Sequence, residues 1–231
     1  MERIVLPELL DALPPQDQSA LRSRRDLRRL NAWMRHPRVM ARVLKKALAG
    51  QAGRHLVELG AGDGHFLLCV ARRLHRQWPD TEVTLVDRLD ALDPQLREQF
   101  HHLGWRARAD IADATEWLRQ APPATTSTVV SNLFLHQLQT EQLAELFRHA
   151  ARSARVVVAL EPRRSWVPRI CGHLLWMIGC GPVTCHDGHI SVRAGFSGRE
   201  LSALWPDKKN WELVERPVGL FSHLFIARRK D

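Results

Sequence analysis

The segment LVELGAGDGHF, Leu56–Phe66, constrains this chain more than any other. Aliphatic, strand-like residues run into three glycines at alternate positions, and a helical pattern, HFLLCVARRLHRQW, follows at once. Strand, glycine turn and helix together bring backbone close to a nucleotide-like ligand, because glycine has no Cβ to hold the ligand away and accepts the left-handed conformations of a tight turn. The spacing discriminates among ligands. A dinucleotide fingerprint needs G-x-G-x-x-G, so after Gly60 and Gly62 the third glycine would fall at 65. His65 stands there, and the third glycine comes one residue early, at Gly64.

From Arg54 the same texture repeats along the chain. Short aliphatic runs, HLVEL, EVTLVD, WRARAD, STVVSN and RVVVALE, alternate with amphipathic patterns such as TEQLAELFRHAARS. Such alternation predicts an α/β fold, a parallel sheet with crossover helices on both faces. After Glu161 it stops. Residues 162 to about 198 are an insertion rich in Pro, Gly and Arg around the apolar segment ICGHLLWMIGCG; a helix, GRELSALWP, and two strands, WELVERPV and FSHLFIARRK, then complete the domain. Upstream, residues 1–52 form a helical cover. There SALRSRRDLRRLNAWM puts Leu27, Leu30 and Met34 on one face, and PRVMARVLKKALAG ends on a glycine. Residues 53–231 are then the main domain.

With 231 residues, 45% of them hydrophobic, the chain is long enough for one well-cored globular domain. Its net charge of +9 fits a nucleic-acid binder, yet it is also what an Arg-rich surface produces. The N-terminus, MERIVLPELLDAL, lacks the regions of a signal peptide. Cys69, Cys171, Cys180 and Cys185 show no short paired spacing and read as reduced thiols, so a cytoplasmic protein is expected.

The G-x-G-x-G turn, preceded by the acid Glu58, resembles motif I of the class I S-adenosylmethionine-dependent methyltransferases. The resemblance implies a Rossmann-like seven-strand sheet whose last strand is antiparallel. It also implies that Gly60, Ala61, Gly62 and Gly64 lie beside the amino-acid part and ribose of the cofactor. The strand in TLVDR ends at Asp87, before Arg88, where a carboxylate can accept both ribose hydroxyl hydrogens. In RADI, the resemblance assigns Asp110 to the adenine amino group and Ile111 to the ring face, with Asp113 as an alternative acid. Two carboxylates and no phosphate-binding Lys suit a cationic sulfonium ligand. VVSNLFLHQL, with Asn132 at the cofactor, resembles the end of the fourth strand in ubiquinone- and menaquinone-type methyltransferases, and the whole tract resembles bacterial enzymes of aromatic polyketide and quinone-like pathways.

Methyl transfer from a sulfonium is an in-line displacement, so the protein aligns a nucleophile and, where needed, removes its proton. His136, after the fourth strand, and His186, beside Asp187 in the insertion, are the candidate bases; many relatives need none. Methyltransferases of exocyclic amines usually carry Asn/Asp-Pro-Pro-aromatic here, whereas Asn132 is followed by Leu133 and Phe134. The expected acceptor is therefore a small, hydrophobic, hydroxylated aromatic or quinonoid molecule, methylated on oxygen first and on ring carbon second. An RNA methyltransferase and a non-catalytic binder of the same fold are the alternatives. Against RNA, Asp26 interrupts the arginines of LRSRRDLRRL and no stacking aromatics accompany them. The segment WVPRICGHLLWMIGCG is too short to span a bilayer. Its Trp166, Leu174, Leu175, Trp176, Met177 and Ile178 are expected to cap an apolar pocket, to form a buried helix, or to touch a membrane transiently. Cys180, Cys185, His186 and His189 have ligand chemistry but no standard metal spacing, so no metal is expected. The oligomeric state is not expressed in these patterns.

Overall fold

The computed structural model describes residues 2–49, 55–90, 95–123, 127–168 and 175–230. Arg54, Arg169, Cys171, His173 and Leu174, which figure in the expectations above, lie outside them.

Seven strands form one sheet: β1 (His55–Leu59), β2 (Glu82–Asp87), β3 (Arg106–Ile111), β4 (Ser127–Asn132), β5 (Ala154–Pro162), β6 (Trp211–Val218) and β7 (Ser222–Arg229), in the order β3-β2-β1-β4-β5-β7-β6. Strand β7 runs antiparallel to both of its neighbours, β5 and β6, and the remaining pairs are parallel. The chain order reverses between β1 and β4. A crevice therefore opens at the carboxyl ends of these strands, where open α/β sheets bind their ligands.

Helices cover both faces. On one side α3 (His36–Ala47), α4 (His65–Leu74) and α5 (Leu96–His102) share a buried cluster with the sheet, including Met40, Leu44, Leu67 and Phe100. Six of the ten residues of α4 are buried, each large one contributing about 1.5–3 kcal/mol. On the other side lie α6 (Ala114–Gln120), α7 (Thr140–Ser153) and α9 (Glu200–Leu204), which close over Phe147, Trp205 and Phe225. Strands β1 and β5 are buried on both faces, as parallel strands between two helical layers must be.

Two elements depart from their expected form. Helix α2 (Gln18–Trp33) is capped by Asp17, but its fully buried residues are Ala20, Ser23 and Asp26, whereas Leu27, Leu30 and Met34 are only half-buried. The reason is Asp26. Its Oδ2 accepts hydrogen bonds from the Gly181 amide (2.7 Å) and the Thr184 hydroxyl (3.1 Å), capping a 13-residue helix, α8 (Pro182–Ala194), inside the expected insertion. The residue that breaks the arginine run thus joins α2 to α8. The apolar segment also differs from a pocket cap or a buried helix, because Trp166, Trp176, Met177 and Ile178 are exposed, and only Leu175 turns inward, toward Gly188 of α8.

The N-terminal residues form a strap across α8 and the turn after β4. Arg3 donates to the carbonyls of Ala194 (2.8 Å), His136 (2.9 Å) and Leu138 (2.7 Å), and its guanidinium lies 4.7 Å from the Phe196 ring centroid. The four-residue helix α1 (Leu9–Ala12) follows.

Candidate active site

The turn after β1 is shaped by three left-handed glycines, Gly60, Gly62 and Gly64, with φ of 67°, 55° and 71°. The amides of Gly60 and Ala61 donate to the Val86 carbonyl at the end of β2, and Gly62 donates to Asp87 Oδ2 at 2.8 Å. A side chain at Gly60 would overlap the Phe134 ring, whereas nothing lies within 4 Å of a Cβ built on Gly62. The turn is therefore pinned on one side and open above its middle.

The acids predicted for the cofactor gather around it. Asp87 also accepts from the Leu89 amide, and the β2–β3 register pairs Val86 with Asp110 and Asp87 with Ile111. Ile111 is 60% exposed, an apolar side chain left uncovered at the strand ends. Asp113 is committed as the cap of α6, through the Thr115 and Glu116 amides, while among the described residues Asp110 accepts only from Trp117 Nε1 (2.8 Å) and lies 3.5 Å from Arg108. Of the two candidate acids, Asp110 keeps more of its acceptor capacity. Arg88 is exposed beside Asp87.

Glu58 is 2% exposed, and its Oε2 has no hydrogen-bond partner among the described residues. Burial first, then the charges of Asp63 and Asp87, push its carboxyl well above the ordinary range. A buried acid with an orphaned oxygen beside an open, acidic turn matches a ligand that brings positive charge. S-adenosylmethionine, with its ammonium and sulfonium groups, meets that demand, so the residues present fit this cofactor.

Three predicted residues have other partners. Asn132 donates to Asn31 Oδ1 at 3.0 Å and accepts from His36 Nδ1 at 2.7 Å, so its amide holds α2 and α3 rather than pointing to the glycine turn. His36, whose second nitrogen accepts from the Ser222 hydroxyl, is pushed down to about 4 by burial and is neutral. His136 is buried, with Nδ1 donating to Glu161 (2.8 Å) and Nε2 to Glu8 (3.1 Å). Burial alone would lower its pKa; the two carboxylates prevail and raise it to about 9. With both nitrogens protonated and bonded, this imidazolium cannot act as a base. His186 is exposed on α8, and its partner Asp187 directs both oxygens at the Leu9 and Leu10 amides, capping α1. A carboxylate engaged in this way does little to activate the imidazole.

Four residues at the site escape the sequence patterns. Arg28 of α2 donates through Nε to Asp63 in the glycine turn, at 2.7 Å, and its terminal nitrogens make no hydrogen bond with the described residues. Nothing separates it in sequence from the other arginines of its run. Phe134 presses on Gly60 from the β4 turn. Glu161 accepts from the Phe134, Leu135 and His136 amides and from His136 Nδ1, stabilising a turn in which Leu133 is forced to a φ of 55°. An acid directly after the five apolar residues Val156–Leu160 was the available signal. Asp11 on α1 is exposed but surrounded by protein; that crowding and the charges of Glu8, Asp87 and Asp187 raise it to about 6 against the pull of Arg88.

A family described as the methyltransferase domain matches residues 56–156, from the glycine-turn strand into β5. No curated protein sequence matches the chain significantly. Among solved structures, the plantazolicin methyltransferase BpumL in complex with SAH is similar at a TM-score of 0.65 and 10% identity, over 93% of this chain and 92% of that one. An O-methyltransferase family protein from Burkholderia thailandensis aligns at 0.58 and 18% identity, over 93% of this chain and 61% of its own length. A small RNA methyltransferase, HEN1, aligns at 0.57 and 13% identity, but the match spans 25% of its chain. At these identities the structures establish a shared fold. The seven-strand sheet, the acidic glycine turn and the family match agree: residues 56–156 match the methyltransferase-domain family, and the sheet is the Rossmann-like fold of the class I S-adenosylmethionine-dependent methyltransferases.

Proposed function

We propose that the enzyme methylates a small, hydrophobic, hydroxylated aromatic or quinonoid acceptor, on oxygen in the first place and on ring carbon in the second. The observation that carries this reading is the turn after β4. The Asn132 amide is engaged by Asn31 and His36, so it offers nothing to an exocyclic amine, and the next side chain over the glycine turn is the aromatic ring of Phe134. An apolar, aromatic-lined approach favours a flat acceptor. The solved neighbours include an O-methyltransferase family protein and a methyltransferase solved with a monoazolic desmethylPZN analogue and SAH, which supports the same class.

In this reading Asp87 holds the ribose hydroxyls, Asp110 the adenine amino group and Ile111 the ring face. Glu58 answers the positive charge and Arg28 the cofactor carboxylate. The bound cofactor supplies an electrophilic methyl group. Asp11, mostly ionised at neutral pH, would take the proton of the acceptor hydroxyl. The residues around the strap, with the 162–198 insertion, are assigned to the acceptor side, and residues 1–52 to covering the site.

Calorimetry with S-adenosylhomocysteine comes first, and absence of binding would leave only a fold without the activity. Transfer of label from methyl-labelled cofactor to a panel of phenols, hydroquinones, lipid extracts and RNA then assigns the acceptor. Label in phenol or enol oxygen is expected; label in RNA alone would overturn the reading. Asp11→Asn should lower kcat more for weakly acidic phenols than for nitrophenols, which ionise unaided.

A further inference from the structure

On the outer face of α2, residues spaced by four form a stripe: Leu21, Arg25, Arg29 and Trp33, all exposed. Beside it lies the turn Leu175–Ile178, tethered to the helix because Arg29 donates to the Ile178 carbonyl at 3.2 Å and Arg22 to the Gly179 carbonyl at 3.4 Å. Three consecutive apolar side chains of that turn, Trp176, Met177 and Ile178, are 66%, 64% and 53% exposed. Such a run is costly to leave in water unless something covers it. Its surroundings carry one sign of charge. Between residues 18 and 33 the sole acid is Asp26, which is buried in the α8 cap; its Oδ1 lies 3.5 Å from Arg29, and no other acid stands on that stretch to offset Arg22 and Arg25. A cavity of about 350 Å³ opens next to the tip, lined by Ser19, Arg22, Ser23, Arg25, Pro182 and Val183.

We propose that this face docks the enzyme on the surface of an anionic lipid bilayer, with Trp176, Met177 and Ile178 entering the headgroup–acyl boundary and Arg22, Arg25 and Arg29 meeting lipid phosphates. Trp at an apolar tip with an arginine collar is what the bilayer interface selects: the indole sits at headgroup level while guanidinium groups extend toward phosphate on their aliphatic stems. A second copy of the chain fits less well, because it would bring the same positive face and a net charge of +9. Nucleic acid would satisfy the arginines but leave the Met177 and Ile178 side chains without a base-stacking role. No helix among the described residues is long and apolar enough to cross a membrane, so the contact is peripheral. The docking face is independent of the acceptor proposed above, although it would bring a lipid-like acceptor within reach.

The test is sedimentation of the full chain with vesicles of phosphatidylcholine alone and of phosphatidylcholine with about one-third phosphatidylglycerol, compared for three proteins. Wild type is expected to pellet with the anionic vesicles and to be released by high salt. Arg25→Glu should weaken partition by roughly 25-fold, about fivefold for each of the two units of charge changed. Trp176→Ser with Met177→Ser should weaken it by at least about tenfold at unchanged thermal stability, since these side chains are exposed. Failure to bind anionic vesicles would overturn the proposal. So would undiminished binding of the double variant, which would mean adsorption through charge alone. A dimer in light scattering that the double variant abolishes would give the face to a second copy. RNA binding that depends on Arg25 but not on Trp176 would give it to nucleic acid.

Discussion

Two glutamates end up buried at the carboxyl edge of the same sheet, Glu58 on β1 and Glu161 on β5, and they are buried for opposite reasons. Glu161 is saturated: three backbone amides and the His136 imidazolium converge on it. Glu58 has an oxygen with no partner among the described residues and is pushed well above the usual carboxylate range. The first is a keystone that holds a strained turn to the N-terminal strap. The second is an unmet demand for positive charge beside an open glycine turn. Burial of an acid therefore says little until its partners are counted; the satisfied acid organises the fold, and the unsatisfied one is the acid proposed to meet the cofactor.

The largest effect that would test this contrast falls on the saturated side. Glu161→Ala strands an imidazolium and three amides, and chemical denaturation should show a loss of about 3–5 kcal/mol; a near-wild-type midpoint would mean that the network is not a keystone. Next comes the ligand side. Asp87→Ala removes the carboxylate proposed to hold the ribose, and calorimetry with S-adenosylhomocysteine should show affinity falling by roughly 100-fold, about 3 kcal/mol, with a smaller change in melting temperature.

Smaller still is the pH response of the two buried histidines, which should limit stability at opposite ends. His136 is raised from 6.5 to about 9, so its contribution is complete below pH 6.5 and fades as pH rises through 9. His36 is lowered to about 4, so its contribution is complete above pH 6.5 and fades as pH falls through 4. Melting temperature against pH should show both limbs, and Glu8→Gln should weaken the alkaline one while sparing the acid one. The smallest change is expected for Glu58→Gln. A neutral amide removes the penalty on a buried charge, so apo stability should hold or rise by up to about 1 kcal/mol while cofactor affinity drops several-fold. A clear loss of stability would show that Glu58 is structural after all.

Much of the architecture was legible in advance. The seven strands appear where the aliphatic runs place them, because strand period and flanking turn residues are local properties, and the glycine turn takes the left-handed backbone that its spacing demands. Glu58, Asp87 and Asp110 are brought to one edge, since a parallel sheet aligns the ends of its strands. His136 and Asn132 take partners that the sequence does not announce, and Asp187 beside His186 is drawn to α1, for a common reason: each side chain's surroundings depend on residues far away in the chain. His136 meets Glu8 across 128 positions and Asn132 meets His36 across 96, separations at which no pattern of spacing carries information. The outward turn of Trp176, Met177 and Ile178 is of the same kind, because an apolar run is compatible with core, cap or surface until its neighbours are in place.

What the sequence alone determined is the class of machine: a parallel sheet, a glycine turn too short for a dinucleotide, and carboxylates at the strand ends, all set by backbone conformation and short-range period. Tertiary structure decided which polar groups remain available for chemistry. Long-range packing gave His136 two anions and Asn132 two amide-binding partners, and among the described residues it left a Glu58 oxygen and the Arg28 terminal nitrogens without a hydrogen bond and Ile111 exposed, near the glycine turn and the strand ends. The physical reason is that hydrogen-bond capacity is finite, and only the folded chain shows where it has been used.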